Sequence, residues 1–194
     1  MTVDPRQART SAALRAALAG LLAQRPLDDI SVAELCRAAG VHRTTFYRHA
    51  DDVHRFAVTT LAGDLDALSD VSPASGDAEA ASRAYLGALR DTFALLAERR
   101  VVYRALFASS ARGAFRSVLV DAQRHRAHLA LDYFADTGVP GVPDAGRDRS
   151  EAAAFIAGAL VGVMDVWTRE DDTDADAAAA RVLALMPRWW PLRP

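Results

Sequence analysis

Residues Ile30–Asp52 read ISVAELCRAAGVHRTTFYRHADD, and the spacing inside this stretch decides the fold. Ser31 and Glu34, three apart, match a capping box, in which the hydroxyl meets the backbone N–H three residues on and the carboxylate reaches back. Ile30 before it and Leu35 after it are spaced as a hydrophobic staple. A helix therefore starts at Ser31. It ends at Gly40, whose missing side chain permits a left-handed exit. A further short helix is predicted over Arg43–His49. Ile30, Val32, Leu35, Cys36, Ala39, Val41 and Phe46 can close a small core between these helices. That leaves His42, Arg43, Thr44, Arg48 and His49 projecting. Two short helices joined by a glycine turn are what a major-groove reader needs. Arg can bind guanine bidentately, and Thr can meet a base or a thymine methyl. Tyr47, histidine and arginine can bond phosphates, and the amide end of the helix at Ser31 suits a phosphate. The same shape also fits a three-helix corner with an ordinary polar face.

Working outward, the whole chain reads as helical. Upstream, a helix is predicted over Arg9–Gln24, capped by Thr10 or Ser11, with Leu14, Leu18, Leu21 and Leu22 on one face. Pro26 and Asp28–Asp29 interrupt it. Downstream, Asp51 or Asp52 can cap a fourth helix continuing to about Ser69. Further helices are predicted near Asp77–Arg99, Val101–Ser109, Arg112–Thr137, Ser150–Arg169 and Asp174–Met186. Prolines and glycines between residues 138 and 149 forbid regular structure there and make it the most mobile segment. No alternating strand pattern and no internal repeat is evident.

Composition bounds the partners. The chain has 194 residues, about half of them apolar, so a sizeable core can be buried. All 23 basic residues are arginine. Residues 1–56 hold eight arginines against six carboxylates, and the remainder fifteen against nineteen. A small basic head on an acidic body suits a polyanion at one end only. The longest uncharged apolar run, Ala152–Met164, is shorter than the roughly 20 residues of a membrane span and reads as a buried helix. No membrane association is expected. Met1–Gln7 has no apolar signal segment, and the single cysteine, Cys36, cannot form an internal disulfide. A cytoplasmic location is expected.

The stretch Ile30–Asp52 resembles the N-terminal domain of TetR-like (TetR/AcrR) transcriptional regulators. The shared run is an apolar residue, Thr/Ser-Val, a helix ending Ala-Gly-Val, and a recognition helix ending in a Phe/Leu-Tyr pair. The likeness is strong from Arg9 to Phe56. It implies an all-α protein with a three-helix helix-turn-helix head, residues 1–50, on a sensing and dimerising bundle of about six helices, residues 51–194. It further implies that Arg43 and Thr44 face bases, while Ser31, Thr45, Tyr47 and His49 mostly hold phosphates. Three positions depart from the pattern. His42 stands where a capping serine is usual, Ala50 where an aromatic is usual, and Val53 where a phosphate-binding lysine is usual. His54 or Arg55 can substitute for that lysine from a different angle.

The same resemblance implies that the helix over Glu151–Arg169 and the one after it pack against their copies in a homodimer. The contact would use Phe155, Gly158, Ala159, Gly162, Val163, Val166 and Leu183, since small residues permit close helix approach. The alternative is an internal core helix. It also implies a ligand cavity among the middle helices, for which Tyr85, Phe93, Tyr103, Phe107, His125, Tyr133 and Trp167 are the candidates. For any one of these, plain core packing is the competing account. Asp121, His125, His128 and Asp132 share a helix face, and a salt-bridged face suits them better than a metal site. Cys36 reads as a small core residue. No phosphate loop, His-Glu-x-x-His motif or nucleophile elbow is present, so neither an enzyme nor a cofactor is expected. The function these readings define is a ligand-responsive repressor binding a pseudo-palindromic double-stranded DNA operator. Its alternatives are a relative with a degenerate head serving as a binding module, and a small helical enzyme.

Overall fold

A computed structural model describes residues 5–68 and 78–191, all helices, turns and loops, with no strand among them. In chain order the helices are α1 (Pro5–Leu22), α2 (Val32–Ala39), α3 (Arg43–Phe46), α4 (Val53–Leu68), α5 (Ala78–Glu98), α6 (Arg100–Ala108), α7 (Arg112–Asp136), α8 (Arg147–Arg169) and α9 (Ala175–Leu185). A 3-10 turn, Leu27–Asp29, separates α1 from α2. The all-α expectation holds. The predicted helix ends at Ser69 and Asp77 lie outside the described residues.

The contacts divide the chain into two units: Met1–Gly63 with Val101–Phe115, and Asp64–Arg100 with Arg116–Pro194. In the first, Leu14, Leu18 and Leu22 of α1 are buried, and α1 packs on α2. α1 is already helical at Pro5, ahead of the predicted start at Arg9. Arg6, Gln7, Ala8 and Arg9 before Thr10 are strong helix formers, and nothing breaks the pattern there. Thr10 is therefore no cap; its hydroxyl donates back to the Arg6 carbonyl at 3.0 Å. Phe46 fills the centre of this unit, edge-on to Tyr47 and Phe56 at 5.7 Å each. Phe115 closes the other side against Phe107 and Tyr103, and the Tyr103 hydroxyl donates to the Leu61 carbonyl. Cys36 is buried, which pushes its thiol pKa up.

The second unit is built on α5, which packs against α9 and α8. Leu89, Phe93 and Leu96 of α5 and Val182 and Leu183 of α9 are buried. Trp190, just beyond α9, packs on Tyr85 and Phe134, and its indole N–H donates to the buried Ser82 hydroxyl at 2.8 Å. The run Ala152–Met164 lies within α8, a helix long and apolar enough to cross a membrane by composition. Ala153, Ile156, Ala157, Leu160, Val161 and Met164 are buried against the rest of the unit, as a core helix requires. The buried Asp165 carboxylate on the same helix is held by Arg116 and Arg169. α8 begins at Arg147, one turn before the predicted Ser150. The irregular stretch before it is tied by Arg149, which donates to the Pro143 carbonyl and to Asp132.

Candidate DNA-reading surface and ligand cavity

Local chemistry builds the α2–α3 segment as its spacing requires. The Ser31 hydroxyl accepts from the Glu34 amide, and the Glu34 carboxylate accepts from both the Ser31 amide and hydroxyl. Arg25 reaches the other carboxylate oxygen at 2.7 Å. The Ser31 hydroxyl, then its amide, then Arg25 hold the Glu34 carboxyl well below the usual range, at about 2. α2 ends in a Schellman motif. Gly40 sits at φ 66°, its amide donates to Arg37, and the Val41 amide donates to Cys36.

α3 follows at once, with His42 at its N-cap making no side-chain capping bond. It is shorter than the predicted Arg43–His49. Beyond Phe46 the chain continues in tight turns, with the His49 amide donating to the Phe46 carbonyl at 2.7 Å. Phe46 is fully buried and anchors the segment. His42, Arg43, Thr44, Tyr47 and Arg48 are exposed, while Thr45 and His49 are half-buried. Arg43 and Thr44 lie on α3, and Tyr47 and Arg48 follow four residues on in the turns that continue it. The Ser31 hydroxyl is already engaged with Glu34, so a phosphate at α2 would meet the first-turn amides and a neighbouring carboxylate instead.

The departures have structural counterparts. Val53 is only 3 % exposed and Ala50 is buried, so both serve the core of the first unit. The Asp52 carboxylate caps α4 by accepting from the Arg55 amide at 2.8 Å. The Arg55 side chain is exposed beside Asp51. His54 is engaged with Asp28 at 2.8 Å. Asp28 also accepts from the Ser110 amide and hydroxyl, and these bonds, with His54, hold its carboxyl below the usual range. Nothing local in the sequence announces this hub, whose partners lie 26 and 82 residues away.

In the second unit a cleft opens among α5, α7 and α8, with roughly 650 Å3 of empty space, part of it continuous with solvent. Of the ligand candidates, Tyr85 and Tyr133 line it. Phe93 and Trp167 instead pack on each other, with Arg100 over the indole at 4.6 Å. Tyr103 and Phe107 are buried in the first unit, and His125 is exposed on α7. Phe134, Leu89, Leu129 and Met164 supply apolar wall, and Gln123 and Arg126 supply polar groups that sequence reasoning missed. The Tyr85 hydroxyl is buried without a hydrogen-bond partner, and burial pushes its pKa up. On the neighbouring face of α7, Asp121 pairs with Arg124, and Asp132 pairs with Arg149.

On α8, Phe155 and Val166 are 65 % and 62 % exposed, and Gly158 and Ala159 are exposed between them. Gly162 and Val163 are half-buried. Leu183 is 3 % exposed and belongs to the interior of its own chain, whereas Leu185, at 72 %, carries the apolar surface of α9.

These features define an all-helical protein with a helix-turn-helix segment in one unit and a partly open, largely apolar cleft in the other. The fold is that of TetR-family transcriptional regulators. A TetR transcriptional regulator from Rhodococcus sp. RHA1 superposes with a TM-score of 0.58 at 15 % identity, covering 94 % of this chain and 97 % of that one. NalD, the secondary repressor of the MexAB-OprM multidrug efflux pump in Pseudomonas aeruginosa, superposes with a TM-score of 0.59 at 17 % identity, covering 93 % and 96 %. The fatty acid degradation regulator FadR from Bacillus halodurans reaches 0.66 at 16 % identity, covering 100 % and 99 %. No family model matches the chain, and no curated protein matches it.

Proposed function

We propose that the protein is a DNA-binding transcriptional regulator, a ligand-responsive repressor that binds a pseudo-palindromic operator as a homodimer. One observation carries the reading. Arg43, Thr44, Tyr47 and Arg48 stand exposed on a short segment anchored by the buried Phe46, closely following a glycine turn. In this reading residues 1–50 form the DNA-binding domain. Arg43 and Thr44 contact bases, and His42, Thr45, Tyr47, Arg48, His49 and Arg55 contact the backbone, with the α2 amide end at Ser31. Residues 51–194 sense the ligand and dimerise through the exposed faces of α8 and α9. Two copies then read half-sites about one DNA turn apart. The protein acts in the cytoplasm and catalyses nothing.

α4 is the natural conductor, since it runs unbroken from Val53, beside the helix-turn-helix segment, to Leu68. A useful switch needs only about 1–3 kcal/mol of coupling along it. The burial of Val53 and the engagement of His54 favour a second reading, a relative whose head no longer grips DNA. The deciding experiment is binding to labelled duplexes, first the region upstream of the gene and then a random pool, over a salt titration. Selective, salt-dependent binding that Arg43→Ala abolishes supports the repressor. Failure against both duplex sets favours the second reading.

A further inference from the structure

Resting on that reading of the cleft as the sensor, we propose that its ligand is a small organic acid, an apolar body bearing one carboxylate, held by Arg126 and Tyr85. Leu89, Leu129, Phe134 and Met164 form walls suited to a compact hydrocarbon or ring. The polar groups among the lining residues are Tyr85, Thr92, Gln123, Arg126 and Tyr133, with no aspartate or glutamate. A cationic ligand would find no counter-charge on these walls, whereas an acceptor finds donors on two helices.

Tyr85 is without a partner and Arg126 keeps donors to spare among the described residues. The Tyr85 hydroxyl is buried with no partner, an arrangement native proteins avoid unless something fills it. Its phenol pKa is pushed up by burial, so it remains a protonated donor. Arg126 donates to the carboxylate and carbonyl of Asp66 on α4, both from Nη2. Its Nε and Nη1 make no hydrogen bond among the described residues. A guanidinium offers five donors, but each of its two edges matched to a carboxylate includes Nη2, so a ligand acid meets Nε or Nη1 first and completes a fork only by displacing Asp66 from Nη2. Thr92 is already used, donating to the Ala88 carbonyl at 2.8 Å. Asp66 is 58 % exposed, so its hold on Arg126 is shared with water and yields to a buried carboxylate. Binding thereby competes with the tie between Arg126 and α4, which gives the acid a direct effect on that helix.

The test is melting temperature and calorimetric titration of the full chain with benzoate, phenylacetate, hexanoate and octanoate. The matched amides and amines of each serve as controls. At least one acid should bind, and bind better than its amide and its amine. The cyclic and linear acids distinguish a ring-shaped body from a chain. Tyr85→Phe should weaken the acid about tenfold while leaving the unliganded melting temperature unchanged or higher. Asp66→Asn should tighten the acid several-fold by releasing the guanidinium, an outcome a purely structural pair would not produce. Arg126→Gln should erase the preference for acid over amide. If no acid exceeds its amide, or Asp66→Asn weakens the acid, the proposal is overturned. Because operator binding is measured without ligand, that failure would leave the DNA-binding reading standing.

Discussion

Replacing Phe155 by serine should split the proposed dimer without unfolding the protomer. The ring leaves 65 % of its surface in water in the single chain, so no intramolecular contact explains its size. A phenylalanine buries about 150–250 Å2 when fully covered, so roughly 130 Å2 per protomer would be removed from water on dimerisation. At about 25 cal/mol per Å2 that is roughly 3 kcal/mol per ring, and the two-fold axis doubles it to roughly 6 kcal/mol. Buried area never converts fully into affinity. Even half of that sum weakens dimerisation about a hundredfold. Sedimentation velocity over a concentration series reads the change directly, and far-UV circular dichroism should show unchanged helix content. Operator binding should fall with the dimer, because one protomer reads only a half-site. A dimer constant unaffected by Phe155→Ser would refute the α8 interface, as would a wild-type chain that stays monomeric at every concentration. Leu185→Ser, at the 72 % exposed position of α9, should act in the same direction, and Leu183→Ser should instead unfold the chain.

Other perturbations test the head and the cleft. The folded Glu34 carboxyl, at about 2, lies below its ordinary 4.5, so its contribution is complete above that value and is lost as pH falls through 2. Between those limits the melting temperature of wild type should fall more steeply than that of Glu34→Gln, and parallel slopes would remove the capping-box account. Asp28 shifts the same way, so Asp28→Asn should also flatten the acid limb, through Ser110 first and His54 second. Gly40→Ala meets no atom within 4 Å but forces a φ of 66°, so chemical denaturation should show a loss of about 1–2 kcal/mol. Phe46→Ala empties the centre of the first unit and should cost about 3–5 kcal/mol, visible in the same assay and as lost operator binding.

How much was legible in advance followed the range of each interaction. The capping box, the Schellman exit at Gly40 and the Asp52 cap each join residues no more than five apart. Their chemistry is complete in the local sequence, and α2 and the start of α4 came out as read, whereas α3 between them stopped short at Phe46. Thr10 failed as a cap for the same reason inverted: helix-forming residues upstream carried α1 past it. The apolar periodicity of the later segments likewise announced helices, and hence an all-α fold. Periodicity marks a residue as apolar-facing without saying which surface it faces. Leu183 and Leu185 were separable only once α9 had packed on α5. The same holds for the aromatics, of which Tyr85 and Tyr133 reached the cleft while Phe93 and Trp167 closed on each other.

By itself, then, the sequence determined the helices, the turn that joins α2 to α3, and the identity of the side chains that α3 exposes. These depend on hydrogen bonds and sterics within a few residues, which any fold must respect. The tertiary structure alone decided that Arg126 meets Asp66 across 60 residues, that Ser110 and His54 converge on Asp28, and that the Tyr85 hydroxyl is buried without a partner. Those arrangements depend on how helices distant in sequence stack, and stacking is set by the summed packing of many side chains rather than by any short motif.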